Sequence, residues 1–459
     1  MKLDSELFTN LFYELKNLSL KNNIEFQLYL ENGNFLFLEV QNQNLAKFET
    51  STWTRGTLKL ISEGIHASTT FENLEPKSIE KYYRLTFENL NFLKKNKIPN
   101  KFTKLQNPDS KNIETSTTTN ISKCNEISFT DKVNLLLELE TQTINANPLV
   151  HSSNLTAYIE IYTSERVLNS LGLDRSFEKK VYSMDLRPII KNDKQIKRGR
   201  LTQSNFDFYK LNVEKFAITE VQNTVQQLNP QSIQSGSYPI LIDREASPRI
   251  LKMLESYFSA QAVDENTSLF QYKINEQVAS NLLTIIDDPH TMDGTAYRPF
   301  DSEGTTSQKT ILIENGILKN YLSNLEYSEK LNIPNTGHGT NKHGDSFISP
   351  TNLYIQAGHY PLNDLINHYP KFIYITKFIG PLHSTFKSST GDFSIPCQGF
   401  LYVNGKSLYP VDQFIISGNI LSLINKIVSV GNNYGIYHTD RWAPDLLFES
   451  MDIASKSEL

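Results

Sequence analysis

Apolar residues recur at helical spacing over residues 7–18, where Leu7, Phe8, Leu11, Phe12, Leu15 and Leu18 form one stripe on a polar segment. A period near 3.6 predicts a helix with a single buried face. The period then shortens. Ile24, Phe26, Leu28 and Leu30 alternate with other positions, which predicts a strand; Asn32-Gly33 has the composition of a tight reversal, and residues 35–40 read as the returning strand. Residues 57–61 read as another strand. From Ser78, a good N-cap, helical spacing resumes through Ile79, Tyr83, Leu90 and Leu93, with Lys94, Lys95 and Lys97 set to complement the C-terminal end of the dipole. Residues 1–102 are therefore expected to form a small N-terminal α/β domain.

Periodicity lapses over residues 103–128, where Asn, Ser, Thr and Lys dominate, as in Ser116-Thr117-Thr118-Thr119-Asn120. A stretch with so little to bury predicts a polar linker or long loop. Residues 129–236 then form a middle α/β region. Val133, Leu136, Leu137 and Leu139 predict a helix, Ala157, Ile159 and Ile161 a strand, Asn169-Ser170-Leu171-Gly172 a turn, and Ile218, Val221, Val225 and Leu228 a second helix. Residues 237–459 open with a short apolar strand at 239–242 and become rich in turns: Asn315-Gly316, Asn404-Gly405, Gly418-Asn419 and Gly431-Asn432. That rhythm predicts meandering antiparallel strands. The expected fold class is α+β, an N-terminal α/β layer followed by a β-rich mixed C-terminal domain.

Composition narrows the function classes. The chain has 459 residues, 39% of them hydrophobic and 21% charged, enough to build a real core in about two to four domains. Its net charge of −5 and pI near 6.0 argue against broad nucleic-acid binding, which needs a basic face. The local run Lys194-Gln195-Ile196-Lys197-Arg198-Gly199-Arg200 reads as a solvated turn or strand edge. Two cysteines, Cys124 and Cys397, make no disulfide framework, and no apolar stretch approaches the roughly 18 residues of a membrane span. No secretory signal is visible in Met1-Lys2-Leu3-Asp4-Ser5-Glu6, so the expectation is a cytoplasmic protein with no membrane and no direct nucleic-acid partner.

Candidate chemistry is sparse. Asp287, Asp288, Asp301 and Glu303 could serve as acid/base or cation ligands, although Asp-Pro and Asp-Ser-Glu-Gly are also what turns use, which favours a structural role in shaping a cavity rim. His338 and His343, with Asp345 as a third group, are weak candidates for a metal, because the glycines around them leave such ligands unorganised. Cys124 lies in the polar stretch with no histidine near it. Cys397 reads as a small buried residue entering a strand.

Several blocks, taken in order, resemble the C-terminal domain of the TldD/PmbA family. They are Asp287-Asp288-Pro289-His290, Phe300-Asp301-Ser302-Glu303-Gly304, Ile313-Glu314-Asn315-Gly316, Ser349-Pro350-Thr351-Asn352-Leu353-Tyr354 and Gly391-Asp392-Phe393-Ser394. Thr336-Gly337-His338 with His343, and Asn419 followed by Val430-Gly431-Asn432, look most like the PmbA (TldE) branch. Zinc-bearing members carry HExxxH on the helix after the 239–242 strand and a cysteine near the C-terminus. This chain reads Asp243-Arg244-Glu245-Ala246-Ser247-Pro248-Arg249-Ile250-Leu251-Lys252-Met253-Leu254-Glu255-Ser256-Tyr257-Phe258, without a histidine, and has no cysteine after residue 397. Ile250, Leu251, Leu254 and Phe258 make it a packing helix.

The resemblance implies a subunit with no cofactor of its own and no catalytic residue, inactive alone. Its partner would be a TldD-like zinc peptidase subunit, zinc residing in that partner, and its substrate a small unfolded peptide. Asp287, Asp288, Asp301, Glu303, Gly391, Asp392 and Phe393 are the residues the likeness offers for peptide or partner contact. Two other readings stand beside it: a regulatory protein-binding module of gyrase-modulator type without a proteolytic role, and an independent metal-dependent hydrolase using His338, His343 and nearby carboxylates.

Overall fold

A computed structural model of the chain describes residues 5–72, 76–96, 104–107, 119–120, 127–342, 345–435 and 439–455. The first apolar stripe becomes the helix Ser5–Asn22, which buries Leu11 and Leu15. The strand that follows runs unbroken from Glu25 to Gln41. The reversal expected at Asn32-Gly33 is absent; the chain turns ten residues later, at Asn42 and Gln43, both with positive φ. Gly33 is explained by its neighbour across the ladder. A Cβ at Gly33 would sit 1.9 Å from the Trp53 ring, whose Nε1 donates to Glu31 at 2.6 Å. Glycine here admits an indole rather than a turn. The strand Asn44–Ser62 returns, Ile65–Phe71 pairs with it, and the helix Pro76–Lys95 follows. Ser78 lies inside that helix, which begins at Pro76, a residue that suits the first turn because it has no N–H to satisfy.

The strands expected in separate N-terminal and middle regions form one eight-stranded sheet. Its main path runs Ile65–Phe71, Asn44–Ser62, Glu25–Gln41, Val150–Asn169, Asp174–Lys191, Thr119–Asn120, and Ile196–Arg198 and Leu201–Asn205 also pair with Asp174–Lys191. The ladder between Glu25–Gln41 and Val150–Asn169 therefore crosses the boundary drawn from sequence. Lys104–Asn107, within the predicted linker, is also tied down: Leu105 is buried and the Gln106 carbonyl accepts from Asn169 at 2.8 Å. Cys124 falls outside the described residues.

Four helices cover one face of this sheet. Ser5–Asn22 and Pro76–Lys95 pack over Phe26, Leu28 and Leu60, and Phe129–Asn145 with Val213–Val225 over Leu38, Tyr158, Tyr182 and Met184. The predicted strand at 157–161 exists, but its phase is mixed. Tyr158 and Glu160 point inward with Ala157 also buried, while Ile161 is 38% exposed. Glu160 is tolerated there because Lys132 and Lys180 reach it at 2.7 and 2.6 Å.

The opposite face receives the C-terminal module. Tyr29, Val167, Leu173 and Phe177 close over Phe300, Gln27 donates to the Ser302 carbonyl, and Arg175 to the Gly304 carbonyl. In that module five strands close on themselves. Lys371–Phe378, Gly236–Ile242, Pro444–Ser455, Lys406–Asn419 and Asp392–Val403 follow in order, and Asp392–Val403 pairs back onto Lys371–Phe378. A second sheet orders Ile317–Leu318, Thr310–Glu314, Ile285–Asp287, Leu353–Ile355 and Arg441–Trp442. The Asn315-Gly316 and Asn404-Gly405 hairpins are present, all four residues at positive φ. Gly431 instead lies within the strand Ile427–Tyr434, against Asp445. Among the described residues no helix is long and apolar enough to cross a membrane.

Candidate functional site

The predicted acidic residues gather where the central strand Ile285–Asp287 meets three loops. Asp287 ends that strand with its side chain wholly buried. It accepts from the Thr351 amide at 2.7 Å, from the Thr351 hydroxyl, and pairs with His338 Nε2 at 2.8 Å. Burial pushes its carboxyl up, but His338 and the Thr351 donors outweigh this and hold it below the ordinary range. His338, equally buried, places Nδ1 2.9 Å from the Thr336 hydroxyl, which in turn holds the Ser323 amide at 2.8 Å. Asp–His–Thr is a catalytic-looking order, yet every member is sealed from solvent.

Asp301 and Glu303 are next to this chain of bonds. Asp301 takes the Glu303 and Thr305 amides on one oxygen and the Gly339 amide on the other, at 2.9–3.0 Å. Burial, then the Glu303 charge, push its carboxyl up to about 7 against the pull of Arg298. Glu303 receives Ser346 Oγ at 2.9 Å and caps the helix Leu325–Leu331 through the Leu325 amide at 2.9 Å. Asp288 lies nearer the surface, accepting from the His290 amide at 3.0 Å and facing Lys309 at 3.2 Å.

Asp287, Asp301 and Glu303 are buried in the chain by itself and their oxygens accept from internal donors, so each of them holds the surrounding loops together. Gly391 and Phe393 are buried too. Asp392 is exposed, held below its ordinary value by hydrogen bonds from Asn419 and Thr390. The metal candidates do not converge within what is described: both His338 nitrogens are engaged inside the fold, and His343 and the Asp345 side chain lie outside the described residues. Of the residues that complete the network, Thr336 and Thr351 stand inside the quoted family blocks, while Ser323 and Asn324 stand in none of them. Their one local signal is a hydroxyl or amide just after a strand or just before a helix.

The segment on which the family resemblance would place a zinc motif begins with a turn at residues 243–247 and forms the helix Pro248–Leu254, extended by a tighter turn to Phe258. Ile250, Leu251, Leu254 and Phe258 are fully buried in the main core. Asp243 is bonded by the Tyr374 hydroxyl and raised by burial; Asp445 beside it is pushed up to about 6 by burial and by Asp243, with Arg244 3.3 Å away. Glu255 is paired with Arg441 at 2.9 Å. Cys397 is buried and its thiol is pushed far up by that burial. No imidazole and no accessible thiol stands in this set, so it does not fit a zinc site.

The fold is that of an α+β protein, and the sequence says which family it comes from. Residues 122–254 match the PmbA/TldA metallopeptidase central domain and residues 235–455 the PmbA/TldA metallopeptidase C-terminal domain. The chain belongs to the PmbA/TldD family. It is 28% identical over 317 residues to an uncharacterised protein of Methanocaldococcus jannaschii, covering 67% of this chain and 71% of that one. It is 26% identical over 212 residues to metalloprotease PmbA of Escherichia coli O157:H7, where it covers 46% of this chain and 45% of that protein, under half the relative's length. A crystal structure from Thermotoga maritima, described as a candidate modulator of a DNA gyrase, superposes with a TM-score of 0.86 at 25% identity, over 97% of this chain and 100% of that one. TldE from Thermococcus kodakarensis shares the fold, with a TM-score of 0.83 at 19% identity over 97% of this chain and all of that one.

Proposed function

We propose that this chain is the non-catalytic, PmbA/TldE-type subunit of a cytoplasmic TldD/PmbA peptidase complex acting on small unfolded peptides. A TldD-like partner carries the zinc and the cleavage chemistry; this chain supplies walls and positioning. One observation carries the reading: the helix Pro248–Leu254 holds no histidine and spends its inward positions on Ile250, Leu251 and Leu254, whereas the zinc motif that the family resemblance implies would need two imidazoles on this segment. An aliphatic side chain has no lone pair to give a metal, and at full burial in the core it has no route to a scissile bond.

The test is reconstitution. The chain is purified alone, and again with a TldD-like subunit carrying HExxxH, and each preparation is assayed for zinc by mass spectrometry and for cleavage of an unfolded peptide. Expected is neither zinc nor cleavage alone, and both in the complex. Stoichiometric zinc with cleavage by this chain alone overturns the reading. The Thermotoga structure's description supports a second reading, contact with a topoisomerase. Affinity capture that recovers gyrase and no zinc-bearing subunit would favour that one instead.

A further inference from the structure

Where the sheet meets the C-terminal module, Glu31, Glu165, Lys179 and Arg298 gather, and no ion pair joins any two of them. Glu31 and Glu165 stand opposite each other in the ladder between Glu25–Gln41 and Val150–Asn169. Lys179 comes from the adjoining strand Asp174–Lys191, and Arg298 from the loop that docks there through Phe300 on Phe177, ring centres 5.2 Å apart. Glu31 accepts from Trp53 Nε1 at 2.6 Å, and the Tyr29 hydroxyl donates to Glu165 at 2.9 Å. Lys179 Nζ reaches the Tyr297 carbonyl at 3.3 Å. Arg298 Nε and Nη2 are buried and have no acceptor.

A buried guanidinium without an acceptor is a poor resting arrangement. Its Nε and Nη2 have left water without an acceptor, and only the charges of Glu165 and Asp301 answer it, without a hydrogen bond. Burial raises the Glu165 carboxyl although Lys179 opposes this, and burial lowers the Lys179 ammonium, so the charges lie within electrostatic reach of one another. Glu31, Trp53, Glu165, Lys179 and Arg298 are all only half-buried, so the cluster reaches solvent. A ligand for it must offer an anion to the fork and a donor to the carboxylates. A phosphate offers only the first, against two carboxylates. A peptide carboxy-terminus offers both, a planar carboxylate with an amide N–H beside it.

We propose that this cluster binds the carboxy-terminus of an extended peptide, its carboxylate on Arg298 and Lys179 and its last amide N–H groups toward Glu165 and Glu31. The same face continues past Trp53 into two facing cross-strand pairs, Phe35 with Ile161 and Phe37 with Ile159, none of them buried. That is where the preceding side chains of the peptide lie. The assignment rests on the peptide-handling reading above and adds a site on this chain itself.

The test uses the whole chain without a partner. An unstructured hexapeptide, labelled at its amino end, is made with a free terminal carboxylate and as the carboxamide, and binding is followed by fluorescence anisotropy. The expected result is that the acid binds at least about tenfold more tightly than the amide, and that Arg298→Gln brings the two within about twofold while leaving the amide's affinity unchanged. Arg298→Gln removes a charge that acts on Glu165 and Asp301, so its melting is compared with the wild type first; Arg298→Lys, which keeps the charge, should retain part of the preference. Equal binding of acid and amide, no binding of the acid at millimolar chain, or a preference that survives Arg298→Gln each overturns the site. Acetate competing at the same concentration as the peptide also overturns it, since the site would then be a simple anion site. Cleavage by the reconstituted pair is read separately: a pair that cleaves while this chain shows no carboxylate preference removes the site and leaves the subunit role intact.

Discussion

Replacing Asp287 by alanine strands three buried donors at once. The Thr351 amide and hydroxyl and His338 Nε2 all converge on that carboxylate, and no water reaches them because Asp287 and His338 are both fully buried. A buried donor left unmade costs about 1–3 kcal/mol. The hydroxyl can rotate to another acceptor, so a total of about 3–5 kcal/mol is expected, the range for removing one partner of a buried pair. His338→Ala should cost a similar amount, because it leaves the carboxylate uncompensated. The double variant removes both and should fall short of the sum by about 1–3 kcal/mol. Urea unfolding followed by Trp442 emission, in a Trp53→Phe background, measures this locally: Trp442 stacks on Tyr354 with ring centres 4.9 Å apart, and Arg441 beside it bonds the Thr351 carbonyl at 2.7 Å. The pH dependence supplies a second check. Asp287 lies below its ordinary value of 3.8 when folded, so the unfolded chain takes up a proton first as pH falls. Its contribution is complete above about pH 4 and is lost below that, so wild type and Asp287→Ala should converge in acid. Loss below about 1 kcal/mol, strict additivity, or a gap unchanged from pH 7 to pH 3 would refute the account.

Other consequences are simpler. Gly33→Ala should displace the Trp53 indole, break its bond to Glu31 and cost about 1–3 kcal/mol, an effect that Trp53→Ala should largely reverse; thermal melts of the three variants decide it. Glu220 is buried and raised to about 7, chiefly by that burial, with Lys377 and the Arg200 amide opposing. A raised carboxyl stabilises most below its unfolded value and loses that contribution as pH rises through about 7, so Glu220→Gln should exceed wild type by on the order of 2 kcal/mol at pH 8 and meet it near pH 4; parallel stability curves would contradict this. In a Cys124→Ser chain, the buried Cys397 should stay unlabelled by a thiol reagent until denaturant is added, and prompt labelling of the native chain would show the strand ring to be open.

Sequence patterns proved reliable where their causes are local. Helical stripes became Ser5–Asn22, Phe129–Asn145 and Val213–Val225, Ser128 capping the second and Asn212 the third. The Asn-Gly pairs at 315 and 404 became hairpins because positive φ at two successive residues is a property of those residues. The 243–258 segment, lacking histidine, packs as its apolar spacing says it must. Asn32-Gly33 misled for the opposite reason: a glycine required by a side chain twenty positions away looks, in one dimension, like a glycine required by a turn. The phase of the strand at 157–161 misled in the same way, since Glu160 turns inward only because Lys132 and Lys180 arrive from other elements.

The chain's own order of residues thus settled which segments coil, which extend, where hairpins close, and that the 243–258 segment packs without a histidine. Each follows from interactions spanning a few residues, with energies that do not depend on the rest of the fold. The three-dimensional arrangement decided the remainder: that two expected regions share one sheet, that Asp287 finds His338 fifty-one positions away, and that Arg298 is brought beside Glu165 with its fork unused. Burial creates those demands, because a polar group stripped of water must be answered by whichever residue packing brings beside it, and only closure of the core determines which residue that is.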